Sequence, residues 1–227
     1  RDYVGMGPGG DDFQLNPLVV DPEGDDLRLT ERSPCRGTGE DGSDVGALPY
    51  EGAPSATLAG VLTEDLVLTA RDEPWVIEGD LIVPHGITMT VEPGAQVELL
   101  ASDLMRSGRD VNRVEVRVYG TLIASGDGDG RVVFRSGGPA PAPGDWYGIQ
   151  LLEGSDGHAL TDLDIEDAYH ALQVETVAAV DIERARIVNS SPNGVAVDFR
   201  GAGTYRLVDS WIRGGAHGVR IDDANGD

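Results

Sequence analysis

Tyr147-Gly148-Ile149-Gln150-Leu151 returns as His170-Ala171-Leu172-Gln173-Val174, again as Asn193-Gly194-Val195-Ala196-Val197, and again as His217-Gly218-Val219-Arg220-Ile221. The small residue in second place (Gly148, Ala171, Gly194, Gly218) recurs after 23, 23 and 24 residues. A second apolar anchor precedes each of the last three echoes, at Ile165, Ile187 and Ile212. Self-similarity at this period marks a repeat whose units bury their apolar sides only by stacking on one another. Period-two alternation within each unit makes the units strands. Stacked strands lie roughly 4.8 Å apart, so the expected fold is all-β: a right-handed parallel β-helix, a solenoid of short strands.

Working outward, the same grammar continues. Leu81-Ile82-Val83, Thr88-Met89-Thr90-Val91, Val114-Glu115-Val116-Arg117-Val118 and Val132-Val133-Phe134 are short alternating runs closed by Gly, Pro or Asp, as strands are. Gly79-Asp80-Leu81-Ile82-Val83-Pro84 resembles Gly120-Thr121-Leu122-Ile123-Ala124-Ser125, which pairs them as a looser repeat. Residues 101–113 then read as a loop insertion, and the proline-stiffened stretch Pro139 to Pro143 as a second protruding loop. Residues 1–52 are rich in Gly, Asp and Pro, with brief strands at Leu18-Val19-Val20 and Leu27-Arg28-Leu29. The expected organisation is an irregular N-terminal closing or capping segment over 1–52, a linker over 53–57, and coils over 58–227.

Composition narrows the partners. The chain has 227 residues, 40 acidic and 17 basic, for a net charge of -23, and every basic residue is arginine. Such a surface repels phosphate backbones and anionic lipid, which argues against nucleic acid. No run of about 18 apolar residues is present, so no membrane insertion is expected. Thirty-two glycines with an apolar content of 40% suit many tight turns around a real core rather than a disordered chain. Cys35 is the only cysteine, so it has no disulfide partner within the chain and reads as a small packing residue.

Leu29 to Gly37, with Ser33-Pro34-Cys35 at its centre, followed by Asp44-Val45-Gly46-Ala47, resembles the closing segment of bacterial secreted right-handed parallel β-helix proteins of the pectate-lyase-like superfold. Gly79 to Pro84, Thr90 to Gly94, Gly120-Thr121-Leu122 and Val133 to Ser136 resemble their opening coils. The resemblance implies a secreted or cell-surface location and a solenoid, and says little of activity. A closing segment before an opening one is the order expected at a junction between two solenoids of a tandem protein; the alternative is a segment 1–52 that caps the later coils.

Chemistry is sparser. Asp162, Asp164 and Glu166 alternate with Leu163 and Ile165 and should face outward, with Asp164 beside Arg186. Paired carboxylates can hydrolyse glycosidic bonds, but a surface ion-pair ladder is the simpler account. Ala216-His217-Gly218 with Arg220-Ile221 resembles elements of β-helical polygalacturonases, yet the Asn-X-Asp strand, the Asp-Asp pair and the lysine are missing, so no catalytic residue is assigned. Tyr147, His170, Asn193 and His217 are expected to stack at one corner. Glycine-rich turns with spaced oxygen ligands (Asp127 and Asp129; Asp223, Asn225 and Asp227) are the candidate calcium sites. Trp146, Tyr147, Tyr169 and Trp211 are the candidate glycan platform. The expected function is a non-catalytic extracellular or cell-surface solenoid, a structural or fibre element or a module presenting loops to a glycan or protein, with end-to-end self-association open to it. The competing class is a polysaccharide lyase or glycoside hydrolase.

Overall fold

The computed structural model describes residues 17–21, 26–29, 33–36, 45, 57–128 and 130–222. Strands β1 (Val19–Asp21) and β2 (Asp26–Leu29) form an antiparallel hairpin. The solenoid then begins with β3 (Thr57–Val61), β4 (Leu66–Leu68) and the long β5 (Trp75–Val83). Four coils follow the same three-strand order. They are β6 (Thr88–Val91), β7 (Gln96–Leu99), β8 (Glu115–Val118); β9 (Thr121–Ser125), β10 (Val132–Ser136), β11 (Gly148–Leu151); β12 (Ala159–Thr161), β13 (Leu163–Glu166), β14 (Leu172–Val174); and β15 (Val180–Glu183), β16 (Arg186–Ser190), β17 (Val195–Phe199). A last described coil holds β18 (Tyr205–Val208), β19 (Trp211–Gly214) and β20 (His217–Ile221).

Corresponding strands pair in parallel and build three faces. Sheet I runs from the C-terminal half of β5 through β8, β11, β14 and β17 to β20; sheet II runs from β4 through β6, β9, β12 and β15 to β18. Sheet III runs from the N-terminal half of β5 through β7, β10, β13 and β16 to β19. The chain is therefore a parallel β-helix, as the repeat implies.

Each face sends apolar columns inward. Leu81, Val116, Ile149, Leu172 and Val197 stack on sheet I. Val91, Ala124, Leu160 and Ile182 stack on sheet II, and Val97, Phe134, Ile165 and Ile187 on sheet III. All belong to one buried cluster. The expected stacking of Ile165, Ile187 and Ile212 is observed.

Two expected registers differ. Leu172 pairs with Val197, not Val195, so the step from 172 to 197 is 25 residues. Ala171 consequently aligns with Ala196, while Gly194 sits in the turn, where an added Cβ would lie 1.6 Å from the Tyr169 carbonyl oxygen. Val195 pairs with His217, so Asn193 leaves the expected Tyr147–His170–His217 column. The second correction concerns Gly79–Pro84 and Gly120–Ser125. Leu81 pairs with Val116 on sheet I, whereas Leu122 pairs with Met89 on sheet II. The two stretches occupy different faces and are not equivalent rungs.

The corners are unequal. Between sheets II and III the later coils turn on one residue with positive φ, Asp162 (49°), Arg184 (50°) and Asp209 (49°). The ladder continues through this corner, since the Asp162 and Arg184 N–H groups donate to the carbonyls of Glu183 and Val208. Between sheets III and I the connections are long in early coils (100–114 and 137–147) and short in late ones. The 101–113 loop does not protrude as expected: Asp103, Met105 and Ser107 are buried, folded back over sheet I. Met105 also packs with Leu18, beside the hairpin, and Ala59. Cys35 is buried.

Candidate functional site

Two outward columns run along sheet I. One carries Asp80, Glu115, Gly148, Ala171 and Ala196; the other carries Ile82, Arg117, Gln150, Gln173, Asp198 and Arg220. Alternation would leave such positions in water. Instead Asp80, Glu115, Gln150, Gln173 and Asp198 are fully buried, because the 100–114 loop and long side chains lie across them.

The loop is pinned by three carboxylates. Asp103 accepts from the N–H groups of Asp80 (3.1 Å), Met105 (2.9 Å) and Ser107 (2.8 Å). Asp80 accepts from Ser107 Oγ at 2.6 Å and from Glu115 N at 2.9 Å. Glu115 Oε1 accepts from the N–H groups of Arg109 and Asp110 at 2.8 and 2.7 Å, and Oε2 from Gln150 Nε2 at 3.0 Å. Burial raises the Asp80 carboxyl to about 7; the Ser107 hydrogen bond opposes this, and neighbouring Asp103 and Glu115 add to it. Burial likewise lifts Asp103 and Glu115 above the usual carboxylate range, against the pull of their N–H donors.

Beyond Glu115 the face becomes a polar seam. Arg109 gives two hydrogen bonds to the Glu175 carboxylate, at 2.7 and 2.5 Å. This clasp runs diagonally from the start of β8 to the end of β14, across β11. Asp198 is held by Arg200 Nε at 2.6 Å and by Arg220 Nε at 2.9 Å. Burial pushes Asp198 up, but the hydrogen bonds from Arg220 and Arg200 outweigh it and hold the carboxylate below its usual range. Between these clusters four buried polar atoms lack a close hydrogen-bond partner among the described residues: Arg117 Nε, which lies 3.8 Å from Glu115 Oε2 in an ion pair, Gln150 Oε1, and Gln173 Nε2 and Oε1, beside which the Tyr147 hydroxyl lies. They belong to three consecutive rungs of one column.

The aromatic residues expected to form one platform separate. Trp146 is fully buried, its Nε1 donating to the Glu166 carbonyl at 2.8 Å, and offers no face to a ligand. Tyr147, Tyr169 and His170 cluster at the sheet III–I corner, with centroids 4.6 to 5.9 Å apart and Arg113 over the Tyr169 ring. Burial raises the Tyr147 phenol, and Glu115, Arg109 and Gln173 all act on it, which places the hydroxyl over the seam. His170 Nδ1 accepts from Val195 N at 3.0 Å, so the neutral ring carries its proton on Nε2. Trp211 stands apart on sheet III, 52% exposed.

The remaining expected sites resolve individually. Asp127 Oδ1 accepts from Gly130 N at 2.8 Å and so closes a turn. Asp129, Asp223, Asn225 and Asp227 lie outside the described residues. Among the described residues no three His, Cys, Asp or Glu side chains are grouped to hold a metal ion. Asp164 is opposite Arg186 as expected, but its ion pair is with Arg131 at 2.7 Å, while Arg186 contacts Glu166 at 3.5 Å. No described helix is long and apolar enough to cross a membrane. The comparisons with protein-family models, with curated proteins and with solved structures give no significant match.

Proposed function

We propose that the chain is a non-catalytic binding segment of an extracellular β-solenoid that takes a neutral glycan on the outer face of sheet I. The observation that carries this reading is the run of orphaned atoms at Arg117, Gln150 and Gln173, which a ligand reaches when the side chains lying across them, the Arg109–Glu175 clasp among them, swing aside. Two are acceptors and two are donors. Buried polar atoms without partners are costly and call for a partner. A hydroxyl group both donates and accepts, so a sugar diol matches the set, whereas a carboxylate would leave the acceptors unmet. The charges around the seam are already neutralised in pairs, Arg109 with Glu175 and Arg200 and Arg220 with Asp198. Tyr169 and His170, both half-buried at the adjoining corner, supply the ring surface that carbohydrate faces favour.

Binding fits the carboxylates better than turnover. Hydrolysis needs one carboxyl ready to give a proton and another free to act as base or nucleophile. Asp198 is fixed as an anion between two arginines, both Glu115 oxygens are occupied, and Glu175 is clasped by Arg109. Asp80, the carboxyl best able to keep a proton, is sealed beneath the 100–114 loop by Ser107 and Glu115 N. The extracellular setting rests on the resemblance to secreted β-helices.

The test is calorimetry of the chain and its Gln173→Leu variant against neutral oligosaccharides, with reducing-end release followed with and without calcium. Binding without release is expected. Gln173→Leu removes two orphaned atoms, so it should raise stability by about 1 kcal/mol while weakening binding about tenfold. Measurable release, or binding unaffected by the substitution, would overturn the reading.

A further inference from the structure

Trp211 divides a trough on the outer face of sheet III. On one side lies a cavity of about 490 Å³ lined by Arg186, Val188, Asn189, Ser190, Arg213 and Gly214. On the other lies one of about 310 Å³, reaching the corner formed by Arg131, Asp162, Arg184 and Asp209. Arg186 and Trp211 line both, so the two are continuous along the strand direction. From residue 184 to residue 190 the extended chain covers roughly 20 Å, the length of a few sugar rings.

The trough reverses the character of the molecule. In a chain of net charge -23 it gathers four arginines. Arg131 and Arg184 are committed to Asp162 and Asp164. Among the described residues the Arg186 side chain has one ion pair, its 3.5 Å contact with Glu166. The Arg213 side chain has neither an ion pair nor a hydrogen bond among the described residues, and it shares the larger cavity with Ser190. The Ser190 side chain is 4% exposed, and its Oγ has no partner. An unsatisfied guanidinium, a buried orphan hydroxyl and a half-exposed indole thus border one cavity.

We propose that this trough binds a linear acidic glycan, with a sugar face on Trp211 and a carboxylate or sulfate on Arg213 and Arg186, completed by the Ser190 hydroxyl. Indole faces pack sugar C–H surfaces, and a guanidinium recognises either oxyanion through its fork of N–H groups. The site is on a different sheet from the neutral-glycan seam and selects the opposite charge class. A polyphosphate chain offers no sugar face to the Trp211 ring.

Four probes of matched length decide the matter by calorimetry with the whole chain: dextran, carboxymethyl-dextran and dextran sulfate oligosaccharides, and a polyglutamate peptide. Binding is expected to one or both charged dextrans and to weaken from roughly 0.01 M to 0.15 M salt, as exposed charges are screened; which dextran binds identifies the anion. Arg213→Gln and Trp211→Ala should each weaken it about tenfold. Arg206→Gln removes an exposed arginine from sheet II, paired with Asp181, and should leave affinity unchanged. Dextran or polyglutamate binding that Arg213→Gln weakens as much as it weakens binding of the charged dextrans, no binding of either charged dextran, or equal losses for Arg206→Gln and Arg213→Gln would overturn the proposal; dextran held at the sheet I seam is insensitive to Arg213→Gln.

Discussion

Replacing Asp80 with Asn tests whether three carboxylates truly share the dry space beneath the 100–114 loop. Asp80 is fully buried, and its carboxyl is raised from 3.8 to about 7. Between those two values the folded chain keeps a proton that the unfolded chain releases, so stability falls as pH rises through the interval. Below 3.8 both states are protonated and the cost vanishes; above 7 it is complete. Three units at about 1.4 kcal/mol each give an upper figure of about 4 kcal/mol, and water penetration and relaxation reduce it to about 2–4. Asparagine keeps an acceptor for Glu115 N and offers Nδ2 to Ser107 Oγ, so it mimics the protonated acid. Urea unfolding of both proteins, followed by tryptophan fluorescence, should show near-equal stability at about pH 4 and the variant ahead by about 2–4 kcal/mol at about pH 8. Taking the difference cancels the charge repulsion common to both. A gap that stays constant across this range, or that favours the wild type at alkaline pH, would refute the shared-burial argument.

Other outcomes are equally specific. His158 is held neutral, Nδ1 accepting from Leu122 N at 3.1 Å and Nε2 contacting Ser155 Oγ at 3.0 Å, and burial lowers it to about 4. Its contribution is complete above 6.5 and declines as pH falls toward 4, so His158→Gln should remove about 2 kcal/mol of acid sensitivity in urea titrations, after discounting for partial exposure. Gly108→Ala sets a Cβ 2.5 Å from Glu115 Oε2 and 2.7 Å from Asp80 Oδ2 at φ +74, and should cost about 2 kcal/mol or more in chemical denaturation. Gly128→Ala meets nothing within 4 Å and should be neutral within about 0.5 kcal/mol in the same assay. Phe134→Ala, at the centre of the sheet III column, should cost about 3–5 kcal/mol by urea midpoint.

The fold was legible because burial writes a period-two pattern into every rung and stacking repeats it. Ile165, Ile187 and Ile212 could be aligned by eye, since each anchors a strand after a turn of one or two residues. The rung at β17 could not. Val195 and Val197 both point inward, and a two-residue slip preserves every inside and outside position. Only packing decides, and Gly194 stands in the turn at a place too close to the Tyr169 carbonyl for any side chain. The site was less legible for a related reason. Asp80, Glu115, Gln150 and Gln173 occupy outward positions that alternation assigns to water, and nothing local marks the loop that covers them. A faint signal existed in Gln150 and Gln173, the same polar residue at the same place in two consecutive echoes. Trp146 misled in the opposite way, since its sequence neighbours are polar while its ring fills the core.

The bends of one or two residues at Asp162, Arg184 and Asp209 decide where this scaffold can be engineered. Because hydrogen bonding runs through them without interruption, a foreign peptide grafted there would break two ladders at once. The edge between sheets III and I already tolerates anything from a pair of residues to fifteen, so it is the natural place for an implanted epitope or sensor. Successive implants on that edge would sit one above another at the spacing of adjacent strands, making the rod a ruler for arraying them.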